Sequence, residues 1–255
     1  MTVTYFITGA NRGIGFQLAK QISADSNNVV IATTRSFANS AALQDLNRPN
    51  LHIIEYDVAS PLEKMKQDLV PIEEYAPNGV DVVIQNAGIA TANQKSILET
   101  TEDDLAKHFA VNTIGSVKVY QSIFPYWSKK VNPETVKKFI FISSSVSWVN
   151  NFFPMLSSHY GPSKAALNLV VRHIAFDHKS AELDHIKNSI IVPVHPGLVT
   201  TDMSKEALGD YNFDESPIPV LKPEESAGCI IKIIDNLEPK DNDTFISYDG
   251  TRVSW

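Results

Sequence analysis

The sequence predicts an α/β protein of one domain, residues 1–255, in which helices cover both faces of a doubly wound parallel sheet. Apolar, β-branched runs of strand length alternate with segments of helical periodicity along the whole chain, and this alternation is typical of parallel sheets. The first strand passes through a glycine-rich turn into a helix. A length of 255 residues with 43% hydrophobic residues suits a single domain of this kind.

The periodicity predicts the elements in order. The predicted strands are 5–7, 29–34, 51–56, 80–84, 139–142, 189–194 and 244–247. One helix follows Gly15, a long one begins at Tyr160, and the others cover 39–47, 62–75, 101–127 and 227–237. Pro71 interrupts the helix at 62–75, and Pro125 ends or kinks the helix at 101–127. The segment 202–221 is polar and contains two prolines, which predicts a loop or a substrate lid.

The turn after the first strand has the spacing G-x-x-x-G-x-G at Gly9, Gly13 and Gly15. Gly9 allows a tight turn, Gly13 removes side-chain bulk where a pyrophosphate approaches, and Gly15 lets the helix pack closely on the strand. The helix N-terminus offers free N–H groups to an anion. The turn therefore predicts the dinucleotide site of a Rossmann fold, formed by Gly9, Asn11, Arg12, Gly13, Ile14 and Gly15. A plain β-turn-α corner is the alternative.

Two arginines indicate which dinucleotide is bound. The second strand leads into Arg35, at the position where an acidic residue would bind the ribose 2′-hydroxyl of NAD. An arginine there suits the 2′-phosphate of NADP instead, and Arg12 in the glycine turn can reach the same phosphate. The pair favours NADP(H), and two solvated surface arginines are the alternative.

Ligands of such sheets bind at the carboxyl ends of the strands, where several small or polar residues lie. After the third strand, the carboxylate of Asp57 can accept from an adenine amino group, cap the next helix, or do both. Small residues after the fourth strand permit close approach of a ligand ring. The candidates at these strand ends are Asp57, Val58, Asn86, Ala87, Gly88, Ser143, Ser144, Ser145, Pro196 and Gly197.

A tyrosine and a lysine four residues apart share one face of a helix, where the cation can lower the phenol pKa toward working pH. This pattern occurs twice, at Tyr126/Lys130 and at Tyr160/Lys164. The second pair follows the fifth strand and its serines, so it can face the ligand crevice. The first pair has no such strand end before it and is interpreted as a surface feature.

These motifs, in this order along nearly the whole chain, resemble those of the classical short-chain dehydrogenase/reductase family. The motifs are the glycine turn, Asn86-Ala87-Gly88, Asn112, the serines after the fifth strand, Tyr160-x-x-x-Lys164 and Pro196-Gly197. Within the family, the chain is most similar to sniffer-type and C-factor-like carbonyl reductases, through residues 32–35, 111–115 and 248–255.

The resemblance implies NADPH-dependent reduction of a carbonyl compound to an alcohol, with Tyr160 as the proton donor. Lys164 would hold the nicotinamide ribose and lower the pKa of Tyr160, and Asn112 would position water in a proton relay through Lys164. Asn86 would contact the adenosine side of the cofactor. The nicotinamide would be bordered by Pro196, Gly197, Val199 and Thr201.

A serine would orient the carbonyl oxygen. The commoner spacing in the family points to Ser147, whereas aligning the fifth strand with its family counterpart points to Ser144. We expect Ser144, because sniffer-type members have a similarly longer segment here. Ser145 and Ser147 remain alternatives, each of which could instead bond to backbone.

The resemblance also places an apolar segment on the substrate side, together with Leu198 and the lid. Its residues are Trp148, Phe152, Phe153, Met155 and Leu156. Aromatic and methionine side chains favour an apolar or aromatic ketone, diketone or aldehyde. Core packing or a subunit contact is the alternative explanation of this segment.

Composition excludes several classes of partner. A net charge of −7 argues against nucleic acid, and no apolar stretch approaches the length of a membrane span. Cys229 is the only cysteine and the histidines lack ligand spacing, so no disulfide and no metal are expected. His159 is expected on the surface at a helix start. We expect a cytoplasmic protein and, from the resemblance, a homodimer or homotetramer. The alternative function is an NADP(H)-binding sensor that rarely turns over.

Overall fold

A computed structural model describes residues 2–91, 95–129 and 135–255. The strands are β1 (Val3–Ile7), β2 (Asn28–Thr34), β3 (Leu51–Glu55), β4 (Val82–Gln85), β5 (Lys138–Ile142), β6 (Ile190–His195), β7 (Leu198–Val199), β8 (Val220–Leu221), β9 (Phe245–Ser247) and β10 (Arg252–Val253). The helices are α1 (Gly13–Ile22), α2 (Ala41–Gln44), α3 (Leu62–Asp68), α4 (Ile72–Tyr75), α5 (Glu102–His108), α6 (Gly115–Trp127), α7 (Tyr160–Lys179), α8 (Asp184–Lys187), α9 (Asp202–Leu208) and α10 (Pro223–Asn236).

The main sheet has the strand order β10-β9-β6-β5-β4-β1-β2-β3. All neighbouring pairs are parallel except β9 with β10, which are antiparallel. The chain runs outward from β1 to β3 and then returns to β4 on the other side of β1. The carboxyl ends of β1 and β4 therefore flank the switch point at which such sheets bind ligands. The predicted α/β Rossmann architecture is confirmed.

Each face of the sheet is covered by its own group of helices. Alternate residues of β1 point to opposite faces, so Tyr5 and Ile7 join the core beneath α1 and α10, while Phe6 joins the core beneath α3, α6 and α7. Because both faces are buried, the strands are apolar throughout rather than alternating. This packing holds the strand ends at one edge in a fixed arrangement.

The predicted helix at 101–127 is continuous but changes its winding in the middle. Thr101 accepts from the backbone N–H of Asp104, which forms a capping box with the acidic first turn. A π-helical segment, Phe109–Ile114, joins α5 to α6 and contains Asn112. Such wide turns are frequent at functional sites.

The loop predicted at 202–221 is wrong in part. This segment contains α9, a 3₁₀ turn at Phe213–Glu215 and β8, which pairs with β7 in a second small sheet. The Thr201 hydroxyl accepts from the backbone N–H of Ser204 and so caps the start of α9. The polar composition and the two prolines of the segment did not indicate this helix. The two-residue strand β10 was also not predicted.

In the part of the chain that the structure describes, no helix is long and apolar enough to cross a membrane.

Candidate active site

The glycine turn has the geometry that its spacing predicts. Gly9 and Gly13 have φ of +64° and +56°, in the left-handed region that favours glycine. A Cβ on Gly15 would overlap the carbonyl oxygen of Gly9 and lie 2.5 Å from Nδ2 of Asn86. No larger residue therefore fits at position 15 without moving the turn.

Asn86 links the end of β4 to this turn. Its Nδ2 donates to the carbonyl oxygens of Thr8 and Gly9, at 3.0 and 3.1 Å. The hydroxyl of Thr8 in turn accepts from the backbone N–H groups of Asn86 and Ala87. The side-chain amide of Asn86 thus fixes the backbone of the glycine turn by hydrogen bonds. Sequence analysis did not predict this structural role.

A cleft opens above the switch point and brings most of the predicted cofactor residues together. Its lining includes Gly9, Asn11, Arg12, Gly13, Ile14, Arg35, Asp57, Val58, Asn86, Ala87, Gly88, Tyr160, Lys164, Pro196 and Thr201. Gly15, Gly197 and Val199 are not part of this lining; Val199 is buried and Gly197 packs against Leu221 and Tyr248. Ser143, one of the candidate serines after the fifth strand, also lines the cleft. The lining residues that sequence analysis missed are Tyr56, Ala59, Ile89, Val111, Ile142, Asp202 and Met203.

Arg12 and Arg35 both line the cleft, as a shared role in binding the 2′-phosphate requires. Arg35 is exposed immediately after β2. Arg12 is half exposed, with its Nη1 3.8 Å from the carboxylate of Asp202 at the start of α9. Sequence analysis missed Asp202, although this residue directly follows the predicted Thr201 and carries a charge that can pair with Arg12.

The carboxylate of Asp57 does not cap a helix. Its Oδ1 accepts from the backbone N–H of Ala59 at 2.9 Å, which forms a tight local turn. The next helix, α3, begins after Pro61, so the capping alternative is wrong. Asp57 lines the cleft instead.

Tyr160 begins α7, and Lys164 lies one turn later on the same helix face. Lys164 is almost completely buried, and its Nζ donates to the carbonyl oxygen of Ile142 at the end of β5, at 2.8 Å. Burial lowers the pKa of Lys164 to about 8. Its Nζ lies 6.0 Å from the centre of the Tyr160 ring.

The pKa of Tyr160 moves in the direction opposite to the expectation. Burial raises the pKa of its hydroxyl to about 12, and a hydrogen bond with Ser144 only partly opposes that rise. Desolvation therefore outweighs the hydrogen bond with Ser144. A phenol with this pKa stays protonated at neutral pH, which is the state that a proton donor needs.

The three candidate serines have different partners. Ser144 is half-buried and hydrogen-bonds with Tyr160, and its hydroxyl also accepts from the backbone N–H of Val146 at 3.4 Å. Ser147 is buried; it donates to the carbonyl oxygen of Ser144 and accepts from Nδ2 of Asn168. The backbone N–H of Ser145 donates to Nδ1 of His195. These contacts favour Ser144 over Ser145 and Ser147 as the serine that orients the carbonyl oxygen.

Asn112 is completely buried, and its amide is fully engaged. Its Oδ1 accepts from the backbone N–H of Ile89 at 2.8 Å, while Nδ2 donates to the carbonyl oxygen of Ile89 and the hydroxyl of Ser163. Each polar atom of this buried amide therefore has a hydrogen-bond partner. A Cβ on Gly88 would lie 3.1 Å from Oδ1 of Asn112 and 3.4 Å from Nζ of Lys164, so Asn112 lies close to the wall of the cleft that Gly88 and Lys164 line.

His159 is not a surface residue, contrary to the expectation. It is 1% exposed, because its ring packs against the buried ring of His108 with the centres 4.4 Å apart. The end of α5 covers the start of α7 at this point. Of the competing Tyr126/Lys130 pair, Tyr126 lies near the end of α6, and Lys130 lies outside the described residues.

The segment after Ser147 is largely exposed. Phe152 and Leu156 are 71% and 50% exposed, which excludes core packing as their role. Trp148 differs, since its ring packs against His195 and Phe245. Among the described residues, no group of three or more His, Cys, Asp or Glu side chains is placed to hold a metal ion.

The arrangement of glycine turn, cleft, tyrosine and lysine has a counterpart among known proteins. The family model for short chain dehydrogenase matches residues 4–212. The chain therefore belongs to the short chain dehydrogenase family and is an oxidoreductase of that family, whose members use NAD(P)H and bind small-molecule substrates.

Particular relatives extend this similarity over the whole chain. An uncharacterized oxidoreductase of Schizosaccharomyces pombe is 34% identical over 98% of this chain and 97% of its own length. The short chain dehydrogenase gsfK of Penicillium aethiopicum is 31% identical over all of both chains.

Among solved structures, the NADPH-bound carbonyl reductase from chicken fatty liver is similar, with 29% identity, a TM-score of 0.86 and complete coverage of both chains. The carbonyl reductase Sniffer of D. melanogaster has 27% identity and a TM-score of 0.85, also over both complete chains.

Proposed function

We propose that this protein is an NADPH-dependent carbonyl reductase, which reduces a ketone, diketone or aldehyde to an alcohol with Tyr160 as the proton donor. One observation carries the proposal. At the carboxyl edge of the sheet, Tyr160 hydrogen-bonds with Ser144 and lies one helical turn before the buried Lys164. The similarity to two carbonyl reductases, one of them NADPH-bound, supports it.

The residues of the cleft suit a phosphorylated dinucleotide. The glycine turn leaves room for a pyrophosphate beside the N-terminus of α1, because Gly9 and Gly13 have no side chains there. Arg12 and Arg35 would hold the 2′-phosphate that distinguishes NADPH from NADH. When bound, NADPH supplies the hydride for the carbonyl carbon.

Side chains of the protein would bind and protonate the oxygen of the carbonyl group. Ser144 and Tyr160 would donate hydrogen bonds to that oxygen, which increases the positive charge on the carbon. Tyr160 would then transfer its proton to the oxygen as the alcohol forms. The high pKa of Tyr160 makes its phenolate a strong base, and the ammonium of Lys164 would stabilise that phenolate by charge.

Lys164 has a second role in this proposal. Its side chain lines the cleft beside Gly88, where it would also bind the ribose next to the nicotinamide. Asn112 is bonded to Ile89 and Ser163, so we assign it to holding the segment after β4 and the first turn of α7. A proton relay by way of Lys164 would return a proton to Tyr160 after each turnover.

The substrate is proposed to be apolar. Val149, Phe152 and Leu156 expose their side chains on the segment that links Ser144 to Tyr160. Segment 202–221 would close over the bound substrate as a lid.

Exposed Leu169 and Phe176 on α7 support the predicted homodimer or homotetramer, since exposed apolar residues often mark subunit contacts. A cytoplasmic location stays a prediction.

The test is a panel of ketones, diketones and aldehydes with purified protein and NADPH. We expect NADPH oxidation with at least one apolar carbonyl, equimolar alcohol product, and loss of this activity in Tyr160→Phe. Tyr126→Phe, which removes the hydroxyl of the other tyrosine pair, is the matched control and should retain activity. If NADPH binds but wild type oxidises it no faster than Tyr160→Phe with every carbonyl, the sensor alternative replaces the enzyme.

A further inference from the structure

Two buried histidines lie beside the proposed proton donor, and the mechanism above does not use them. His108 is the last residue of α5 and is 0% exposed; His159 directly precedes Tyr160 and is 1% exposed. The centre of the His108 ring lies 4.4 Å from that of His159, at 62°, and 6.5 Å from that of Tyr160, at 74°. The ring of His108 thus makes edge-to-face contacts with both other rings.

The hydrogen bonds of His108 specify one protonation state. Its Nδ1 lies 2.7 Å from the carbonyl oxygen of Asp104, which can only accept, so Nδ1 carries a proton. Its Nε2 lies 3.3 Å from the backbone nitrogen of Thr91, whose N–H can only donate, so Nε2 must be unprotonated. His108 is therefore a neutral imidazole. A proton on Nε2 would place two donors against each other and break the bond to Thr91.

His108 and Asn112 act on the same segment. Asn112 bonds to both backbone groups of Ile89, and His108, four residues earlier, accepts from the backbone N–H of Thr91. Together they hold the chain just after Gly88, which lines the cleft. The side chain of Asn112 also reaches Ser163, whereas the ring of His108 contacts Tyr160.

We propose that His108 is a positioning residue, which holds Thr91 and the ring of Tyr160 in their active arrangement only while its imidazole is neutral. Acidification would then lower carbonyl reduction by releasing Thr91, without protonating any residue that contacts the substrate. This proposal rests on the proposed function for its kinetic consequence and on the structure alone for the contact with Thr91.

The charged groups around His108 decide how readily it protonates. Burial lowers the pKa of His108, the neighbouring His159 lowers it further, and Lys107 adds to this. Asp104 opposes them through its carbonyl oxygen and its carboxylate, although that carboxylate is already paired with Lys95 at 2.8 Å. On the side of α7, His159 and Tyr160 face the ring. The Thr91 hydroxyl lies 3.4 Å from Nε2, too far to replace the bond to the backbone N–H with a strong hydrogen bond when Nε2 is protonated.

The experiment compares His108→Gln with His108→Phe. Glutamine supplies an acceptor for Thr91 that does not titrate, and phenylalanine keeps the ring but supplies no acceptor. For wild type, we expect kcat/KM for the carbonyl to fall on the acid side of the pH profile. For His108→Gln, that acid-side fall should disappear while activity near pH 7.5 is kept. For His108→Phe, kcat/KM should be about three- to tenfold lower at every pH.

A second measurement follows the wild-type protein by NMR, independent of turnover. The amide resonance of Thr91 should shift with pH at the same midpoint as the imidazole of His108, and at the midpoint of the kinetic fall. The exposed His173, on the outer side of α7, is the matched control, since His173→Gln should change neither readout.

Either of two results overturns the proposal: an unchanged acid-side fall in His108→Gln, or a Thr91 amide that does not follow the titration of His108. Were no carbonyl reduced at all, the proposed function would fail, yet the Thr91 titration would still decide whether His108 holds this segment.

Discussion

Nη1 of Arg12 lies 3.8 Å from the carboxylate of Asp202, and this ion pair joins the glycine turn to the first turn of α9. Both side chains are largely exposed, at 54% and 75%, so the pair is weak. In the proposed complex, the 2′-phosphate of NADPH would compete with Asp202 for the same guanidinium. The segment proposed as a lid is thus linked by charge to the cofactor cleft.

Replacing Asp202 tests this competition. Asp202→Asn frees Arg12 and removes a negative charge from the cleft, so NADPH should bind about two- to fivefold more tightly. NADH, which has no 2′-phosphate, should gain less. Titration by fluorescence measures both, with Asp210→Asn as a control for net charge. Unchanged or weaker NADPH binding in Asp202→Asn would show that Asp202 does not compete with the 2′-phosphate for Arg12.

Arg35 is expected to select the cofactor. Arg35→Asp removes a charge-assisted hydrogen bond and adds repulsion, so the dissociation constant for NADPH should rise about 10- to 100-fold. Binding of NADH should change far less, because an acidic residue there can accept from the ribose hydroxyl. Lys240→Asp, a charge reversal at an exposed position in another part of the fold, is the control. Equal losses for the two cofactors would refute the phosphate argument.

Gly15 and Gly228 differ in the room available for a side chain, so alanine substitutions at the two positions form a matched pair. A Cβ at Gly15 would overlap the carbonyl oxygen of Gly9, so Gly15→Ala should displace the turn, destabilise the fold by about 1–3 kcal/mol and weaken NADPH binding. A Cβ at Gly228 in α10 would lie 3.6 Å from its nearest neighbour, Oε1 of Gln21.

We therefore expect Gly228→Ala to be neutral or to stabilise the protein by up to about 1 kcal/mol. Urea unfolding and NADPH titration check both variants. Wild-type cofactor affinity in Gly15→Ala would contradict the requirement for glycine at that position.

The sequence predicts best where the signal is local. The glycine turn, the buried strands and the Tyr160/Lys164 pair follow from short-range spacing, and the structure has each of them in the predicted place. Segment 202–221 fails because the cap formed by Thr201 starts a seven-residue helix that composition does not reveal. The burial of His159 depends on His108, which is brought next to it only by tertiary packing.

His178 links stability to pH. It is 3% exposed, accepts from the hydroxyl of Tyr120 and donates to the hydroxyl of Ser189. Burial lowers its pKa to about 4 from an ordinary value of 6.5. Because the unfolded chain binds this proton more readily, the stability is complete above pH 6.5 and is lost as the pH falls toward 4.

Between pH 7.5 and pH 5, wild type should lose about 2 kcal/mol more unfolding free energy than His178→Gln does. Urea unfolding at the two pH values measures this difference. His173→Gln makes the same change at an exposed position of α7 and should keep the wild-type pH dependence. An identical pH dependence in wild type and His178→Gln would contradict the assignment of a neutral buried His178.

The central claim is that Tyr160 gives its proton to the carbonyl oxygen while the rest of the site binds the cofactor. The most direct measurement is the single-turnover rate of NADPH oxidation by an accepted carbonyl, in wild type and Tyr160→Phe, with the NADPH dissociation constant determined on the same samples. We predict a rate about 10²- to 10⁴-fold lower in Tyr160→Phe, with an unchanged dissociation constant. Equal rates in the two proteins would contradict the assignment of Tyr160 as the proton donor.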